Sequence, residues 1–419
     1  MAIKKIKISN FKSFNDMEVE LGNFNVLVGA NASGKSNFIQ IFKFLRDIVN
    51  HGLENAISLQ GNGKYLQNTT IESSKELSLK IEMELEEESY NQFIKIRTKQ
   101  IEYELSIRFN KKGGYKITRE CSILRCDFIE LEENNQSKFF LKDKKLIGSG
   151  EIIVNVLNET FDLEFELPKE LKKEDVSNAL FYQSDESPRQ KTLLEDSPFQ
   201  LFHYIPRRLS EFLIYDFNSK TLKSPATIFG KKDFEEDGSN IALVLKNIIE
   251  NKRLKRQFLN ILQDLLPFVS NIKTSDLADN SLHFDLKETF SKEQFLPASF
   301  LSDGTVSATA LVIALFFDER LLRYDPVIIF EEPEKHIHPS IISKMMQMFK
   351  EASEQKQIIF TTHNPEIVKH TNLENLLFIS RDEEGFSTMT RPAEKDEVKT
   401  FLEHEIGIED LFTQDLLGV

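Results

Sequence analysis

The stretch "VGANASGKSNF" places Gly29, Gly34, Lys35 and Ser36 at the spacing G-x-x-x-x-G-K-[ST]. In such a loop the backbone N–H groups of Ala30, Asn31, Ala32, Ser33 and on through Ser36 wrap phosphate oxygens. Lys35 bridges the terminal phosphates, the Ser36 hydroxyl ligates Mg2+, and Asn37 counts among the nucleotide-binding residues. That chemistry needs a buried strand before the loop and an amphipathic helix after it. Both are legible: "FNVLVG" is apolar, and from Lys35 onward Phe38, Ile41, Phe42, Leu45 and Ile48 fall on one helical face.

A phosphate loop also needs a carboxylate beside the metal and a group to align water. In "DPVIIFEEPEKHIHP" the run Val327 to Phe330 reads as a buried strand ending on adjacent acids. Side chains alternate along a strand, so Glu331 is assigned to the metal side, through water, and Glu332 to polarising the attacking water. A second apolar strand, Ile358 to Phe360 in "QIIFTTHNP", ends in Thr361, Thr362 and His363. Ligands of a parallel α/β sheet gather at the carboxyl ends of its strands, which makes His363 a γ-phosphate sensor. His336 and His338 fit either a metal pair or an extended, proline-flanked segment. Finally, "FLSDGTVSATALVIALFF" seats Ser302-Asp303-Gly304 at the mouth of the most apolar helix of the chain. Unpaired N–H groups and the positive dipole end suit an anion there.

The elements that must hold these residues change character along the chain. "IKKIKISNFKSF" and Met17-Val19-Leu21 alternate as two strands, and 1–60 forms a phosphate-loop region. Leu77 to Leu85 and Ile101 to Phe109 alternate strongly, predicting an antiparallel β region over 75–165 with one wet face that carries Glu82, Glu84 and Glu86 to Glu88. Residues 166–200 turn polar and read as an insertion without regular structure. The span 201–300 reads as a helical lobe, with Asp237-Gly238-Ser239-Asn240 capping one helix and Pro267 stopping the next, and 301–419 carries the remaining chemistry. The whole is an α/β architecture.

With 53 basic against 67 acidic residues, a net charge of -14, the chain is not a general nucleic-acid coat; any such contact is a local patch. Three basic clusters qualify: Lys4-Lys5-Lys7, Arg207-Arg208 and Lys252-Arg253-Lys255-Arg256. Cys121 and Cys126 are the two cysteines, which suits a reducing cytoplasm and no disulfide scaffold. No stretch has the length and apolarity of a membrane span or signal peptide.

The order of phosphate loop, Ser-Asp-Gly helix, Glu-Glu strand and Thr-His strand resembles the ABC-type ATPase heads of the SMC, RecF and OLD group. It resembles more closely the stand-alone AAA family ATPases of bacterial defence and toxin-antitoxin loci. "IKISNFKSF", "GANASGKSN", "DGSNIALVLK", "LSDGT", "IIFEEPEKHIHP", "TTHNP" and the closing "GIEDLFTQDLLGV" carry the resemblance over nearly the whole chain. It implies an ABC-type P-loop NTPase head, with a mixed or parallel core sheet, an antiparallel β subdomain and a helical lobe. It implies ATP and Mg2+ as cofactors, and makes Ser302 and Gly304 a signature turn that touches the γ-phosphate held by an opposite subunit.

Two copies then pair head to tail around two ATP molecules, a C2 dimer that hydrolysis opens. The usual signature has Gly and Gln where this chain has Asp303 and Thr305; Asp303 points away from phosphate. Glu331 replaces a commoner Asp. Lys12 and Ser13 lie where relatives contact nucleotide, and an ordinary strand-end turn explains them as well. ABC heads carry a glutamine that joins the metal site to the variable lobe; Gln183 and Gln200 are both candidates, and neither is assigned. The family's ending leaves no room for an appended nuclease domain, so cleavage falls to a separate effector, a nuclease or a toxin. Three roles remain: a defence switch that controls DNA binding or that effector, an ATP-locked scaffold that sequesters a toxin, and a RecF-like DNA repair ATPase.

Overall fold

The computed structural model describes residues 2–68, 70–71, 75–91, 93–110, 112–132, 142–157, 160–180, 191–196, 204–278, 280–291, 294–323, 326–404, 407–414 and 416–417. Gln183 and Gln200 lie outside them. The chain forms two compact units. One comprises Met1–Gly22, Gln40–Phe212 and Arg381–Met389; the other comprises Asn23–Ile39, Leu213–Ser380 and Thr390–Val419.

The first unit is built on a seven-stranded antiparallel sheet whose order is Phe14–Glu20, Ala2–Phe11, Leu77–Tyr90, Ile94–Phe109, Tyr115–Leu131, Asp143–Leu157 and Thr160–Glu166. Alternation sets its register: Ile6 pairs with Ile81, Ile81 with Tyr103 and Tyr103 with Ser122, so one face stays buried across four strands. The two strands expected within 75–165 run longer than the alternation suggested, and three more follow them. Their charged face is ion-paired: Lys4 with Glu84 at 2.8 Å, Lys95 and Arg97 with Glu88.

Regular structure enters the polar span 166–200 as the helix Lys173–Leu180. Its start is fixed by the Asp175 carboxylate, which accepts from Lys172 N at 3.0 Å, and Val176 is fully buried. Further on, Glu120 is 2 % exposed and accepts hydrogen bonds from Tyr103 Oη and Leu193 N, both at 2.7 Å. A buried carboxylate on the sheet thus ties down the turn at 192–195.

In the second unit a parallel sheet lines up Leu376–Arg381, Phe24–Val28, Gln357–Thr362, Val327–Glu331 and Leu213–Tyr215 in that order. Such strands are covered on both faces, and their continuous apolar runs follow from it. Phe330, Phe349 and Phe360 pack as edge-to-face and tilted pairs with ring centroids 5.1–5.2 Å apart. The helix Asp303–Phe316 is buried from Thr305 through Leu315, which explains a composition that is apolar all round.

The span 201–300 is not wholly helical. Val269–Asp276, Ser281–Glu288, Phe295–Pro297 and Ala226–Thr227 form a small antiparallel sheet, because alternating residues resume after Pro267 and Asn280 turns the chain with φ 59°. Asn240 stands at the start of the helix Ile241–Glu250, yet its side chain does not cap that helix. It binds Glu235 N, Lys231 O and Asp233 O, fastening the loop in front.

Candidate functional site

Register brings the chemistry together at one end of the parallel sheet. Thr362 pairs with Val28 and Glu331 with Thr361, so the phosphate-loop strand, the Thr-His strand and the Glu-Glu strand end side by side. The loop then reverses through Ala32 at φ 63° and Gly34 at φ 121°, conformations in which backbone N–H groups converge. Gly29 is required for room, since a Cβ there would sit 2.2 Å from the Ile379 carbonyl oxygen. Ala30, Asn31, Ala32 and Ser36 are exposed at the loop's rim; Ser33, Gly34 and Lys35 lie beneath it, and Asn37 is half-buried.

Lys35 folds over its own loop, donating to Gly29 O at 2.7 Å and Ala30 O at 2.9 Å. Burial lowers the pKa of its ammonium, while Glu332, Glu334 and Glu331 oppose that shift. The Ser36 hydroxyl donates to Glu331 Oε1. A hydroxyl and a carboxylate in contact are hard oxygen donors that suit a divalent cation, and Ser36 and Glu331 would hold Mg2+ there.

Glu332 continues past the strand with φ 47°, a left-handed conformation costly for a side chain of its size, and its N–H bonds Thr361 O at 3.1 Å. This kink directs its carboxylate to His363, whose Nδ1 lies 2.8 Å from Glu332 Oε1, while Lys335 approaches the other oxygen at 3.5 Å. Burial would raise the Glu332 carboxyl, but the His363 hydrogen bond and charge, followed by Lys335, bring it below its ordinary value. It is therefore ionised, as a group that orients water must be.

Ser302 caps its helix, accepting from Thr305 N at 3.1 Å. Gly304 packs so closely on the chain after Glu332 that a Cβ would come within 2.7 Å of His336 O. The Asp303 carboxylate is turned into its own unit, bound by Lys223 and by Ser219 Oγ at 3.1 Å, with His336 at 4.0 Å. Lys12 and Ser13 belong to the first unit. Lys12 has φ 48° and donates its N–H to Leu66 O, and Ser13 is fixed by Ser387 through both its carbonyl and its hydroxyl.

His338 caps the helix Pro339–Ser353 through Nδ1, and among the described residues no group of three or more His, Cys, Asp or Glu side chains is placed to hold a metal ion. Sequence reasoning missed Glu334 and the role of Thr362. Three acids within "EEPE" were the available signal, but burial of the third is a tertiary property.

The family model described as "AAA domain, putative AbiEii toxin, Type IV TA system" matches residues 24–369. The chain belongs to this AAA-domain family. Among solved structures it is similar to the SmcHead bound to the C-winged helix domain of ScpA, with TM-score 0.46, 15% identity, and coverage of 93% of this chain and 97% of that one. It is also similar to the SMC head domain from Thermotoga maritima, with TM-score 0.42, 13% identity, and coverage of 93% and 99%. A third is the Smc head domain with an extended coiled coil bound to the C-terminal domain of ScpA derived from Pyrococcus furiosus, with TM-score 0.41, 14% identity, and coverage of 96% and 99%. No curated protein matches the sequence. It is thus an AAA-domain protein of mixed α/β fold. No helix among the described residues is long and apolar enough to cross a membrane.

Proposed function

We propose that the protein is a cytoplasmic, ATP-hydrolysing switch that dimerises head to tail around ATP and Mg2+ and controls DNA binding or a separate effector, a nuclease or a toxin, in bacterial anti-phage defence. The observation that carries the catalytic part is the Ser36–Glu331 contact beside the Glu332–His363 pair at three aligned strand ends. In this reading ATP supplies the γ-phosphoryl group and Mg2+ neutralises its charge. Lys35 and the N–H groups from Ala30 to Asn37 bind the phosphates. Glu332 orients water, and His363 senses the γ-phosphate.

Ser302 and Gly304 cover the nucleotide of the partner subunit, and the half-exposed Asp303 is compatible with that contact because its charge is matched by Lys223. Of the three basic clusters, two are neutralised within the molecule: Lys4, Lys5 and Lys7 by Glu84 and Glu18, and Arg207 and Arg208 by Glu211 and Glu87. Lys252, Arg253, Lys255 and Arg256 make no ion pair among the described residues and open a helix, the end where the dipole disfavours cations. That arrangement supports a polyanion as their partner. The family description, which names a toxin-antitoxin system, favours an effector held by the ATP state.

Glu332→Gln provides the test. The variant should lose turnover by about 100-fold or more, while under Mg-ATP it sediments at twice the monomer mass. A variant that stays monomeric in saturating Mg-ATP, with its natural companions added, overturns the head-to-tail reading.

A further inference from the structure

Glu334 stands outside the chemistry assigned so far. It lies two residues after Glu332, is 6 % exposed, and its Oε1 accepts the Thr362 hydroxyl. Its Oε2 is buried with no hydrogen-bond partner among the described residues. Leaving such an atom unsatisfied costs roughly 1–3 kcal/mol, so its persistence calls for a function. Burial pushes its pKa up, opposed first by the Thr362 hydrogen bond. Its charge also reaches Lys35 and Glu332.

Thr362 is fully buried and holds two neighbours in place. Its hydroxyl donates to Glu334 and accepts from Asn364 N at 2.9 Å. Asn364 in turn accepts from Glu366 N at 3.0 Å and caps the helix Pro365–Lys369. His363 is thus the exposed residue between two anchored ones, and its ring reaches Glu332 Oε1 at 2.8 Å. A hydroxyl carries one proton; without a firm acceptor on Glu334, Thr362 would rotate to another partner and release Asn364 N.

We propose that Glu334 is a positioning residue for hydrolysis: its sealed carboxyl fixes the Thr362 hydroxyl and thereby the backbone that delivers His363 to Glu332. The proposal rests on the ATPase reading above. It places the precision of the water-orienting pair on a buried acid that acts through Thr362.

Glu334→Met removes the acceptor, Glu334→Gln keeps a carbonyl oxygen for it, and Thr362→Val removes the donor with little change of shape. In full-length protein, Glu334→Met and Thr362→Val should each lower kcat by on the order of 10–100-fold with ATP affinity within about 3-fold, since misplacing a catalytic group by about an ångström has that effect. The double variant should fall no further, and Glu334→Gln should restore most of the rate. Without nucleotide, amide hydrogen exchange over 361–366 should quicken in Glu334→Met and return towards wild type in Glu334→Gln.

Wild-type kcat and unchanged exchange in Glu334→Met overturn the proposal, as do additive losses in the double variant. If Glu334→Met fails to fold, Thr362→Val and Glu334→Gln carry the comparison: a Thr362→Val protein with normal kcat sinks the idea. Should wild type and Glu332→Gln both lack turnover, the ATPase reading falls and this proposal with it. Should Glu332→Gln alone abolish turnover while Glu334→Met does not, only the positioning role fails.

Discussion

In the proposed function, Lys35 is a side chain prepared for phosphate. Half-desolvated and held by two carbonyls of its own loop, it is a cation already drawn out of water, so less hydration is lost when phosphate oxygens replace those carbonyls. Lys35→Ala should therefore weaken ATP binding by about 100-fold or more, read by calorimetric titration, because truncating one member of a buried charge pair costs roughly 3 kcal/mol. Unchanged affinity would remove the loop from the nucleotide site. Glu332 differs in kind: in the proposed function its lowered pKa and its left-handed backbone serve orientation rather than binding, so its replacement by Gln should separate turnover from assembly.

At the scale of elements, segments are tied down by single buried acids. Glu120 anchors the turn at 192–195 to the antiparallel sheet, and burial raises its pKa from 4.5 to about 7, with the Tyr103 and Leu193 hydrogen bonds opposing the shift. Between those values the folded protein holds a proton that the unfolded chain has released, so stability falls as pH rises through that window. The difference between about pH 5 and about pH 8 is about 2–3 kcal/mol. Glu120→Gln, which keeps an acceptor for both donors, should lose this dependence in denaturant titrations at the two pH values. A wild-type slope retained in the variant would assign the effect elsewhere.

For the whole molecule, net negative charge and one exposed cationic helix start make opposite demands on a polyanion. The charge of -14 repels it at long range, and Lys252, Arg253, Lys255 and Arg256 are left to attract it locally. Replacing these four by Glu should abolish ATP-dependent DNA retention and leave ATP turnover intact. In wild type the logarithm of affinity should fall with the logarithm of salt by about 0.9 for each phosphate neutralised. DNA binding that survives the fourfold change, with its salt slope unaltered, would move the contact to another surface.

What the sequence determined on its own follows from local rules. The phosphate loop, its flanking strand and helix, and the acids and histidine at strand ends obey spacing and periodicity, which need no knowledge of the partner element. The helix Lys173–Leu180 escaped because a single buried residue such as Val176 gives almost no periodic signal, and the small sheet within 201–300 because two of its strands are only two and three residues long and the first of its two eight-residue strands follows closely on a helix. The tertiary structure alone decided what depends on burial and register: that Glu331 meets Ser36, that Glu332 turns to His363, that Asp303 is held by Lys223, and that Glu334 lies sealed beneath Thr362. An acid reads the same in a sequence whether water or protein surrounds it, and only packing removes the water.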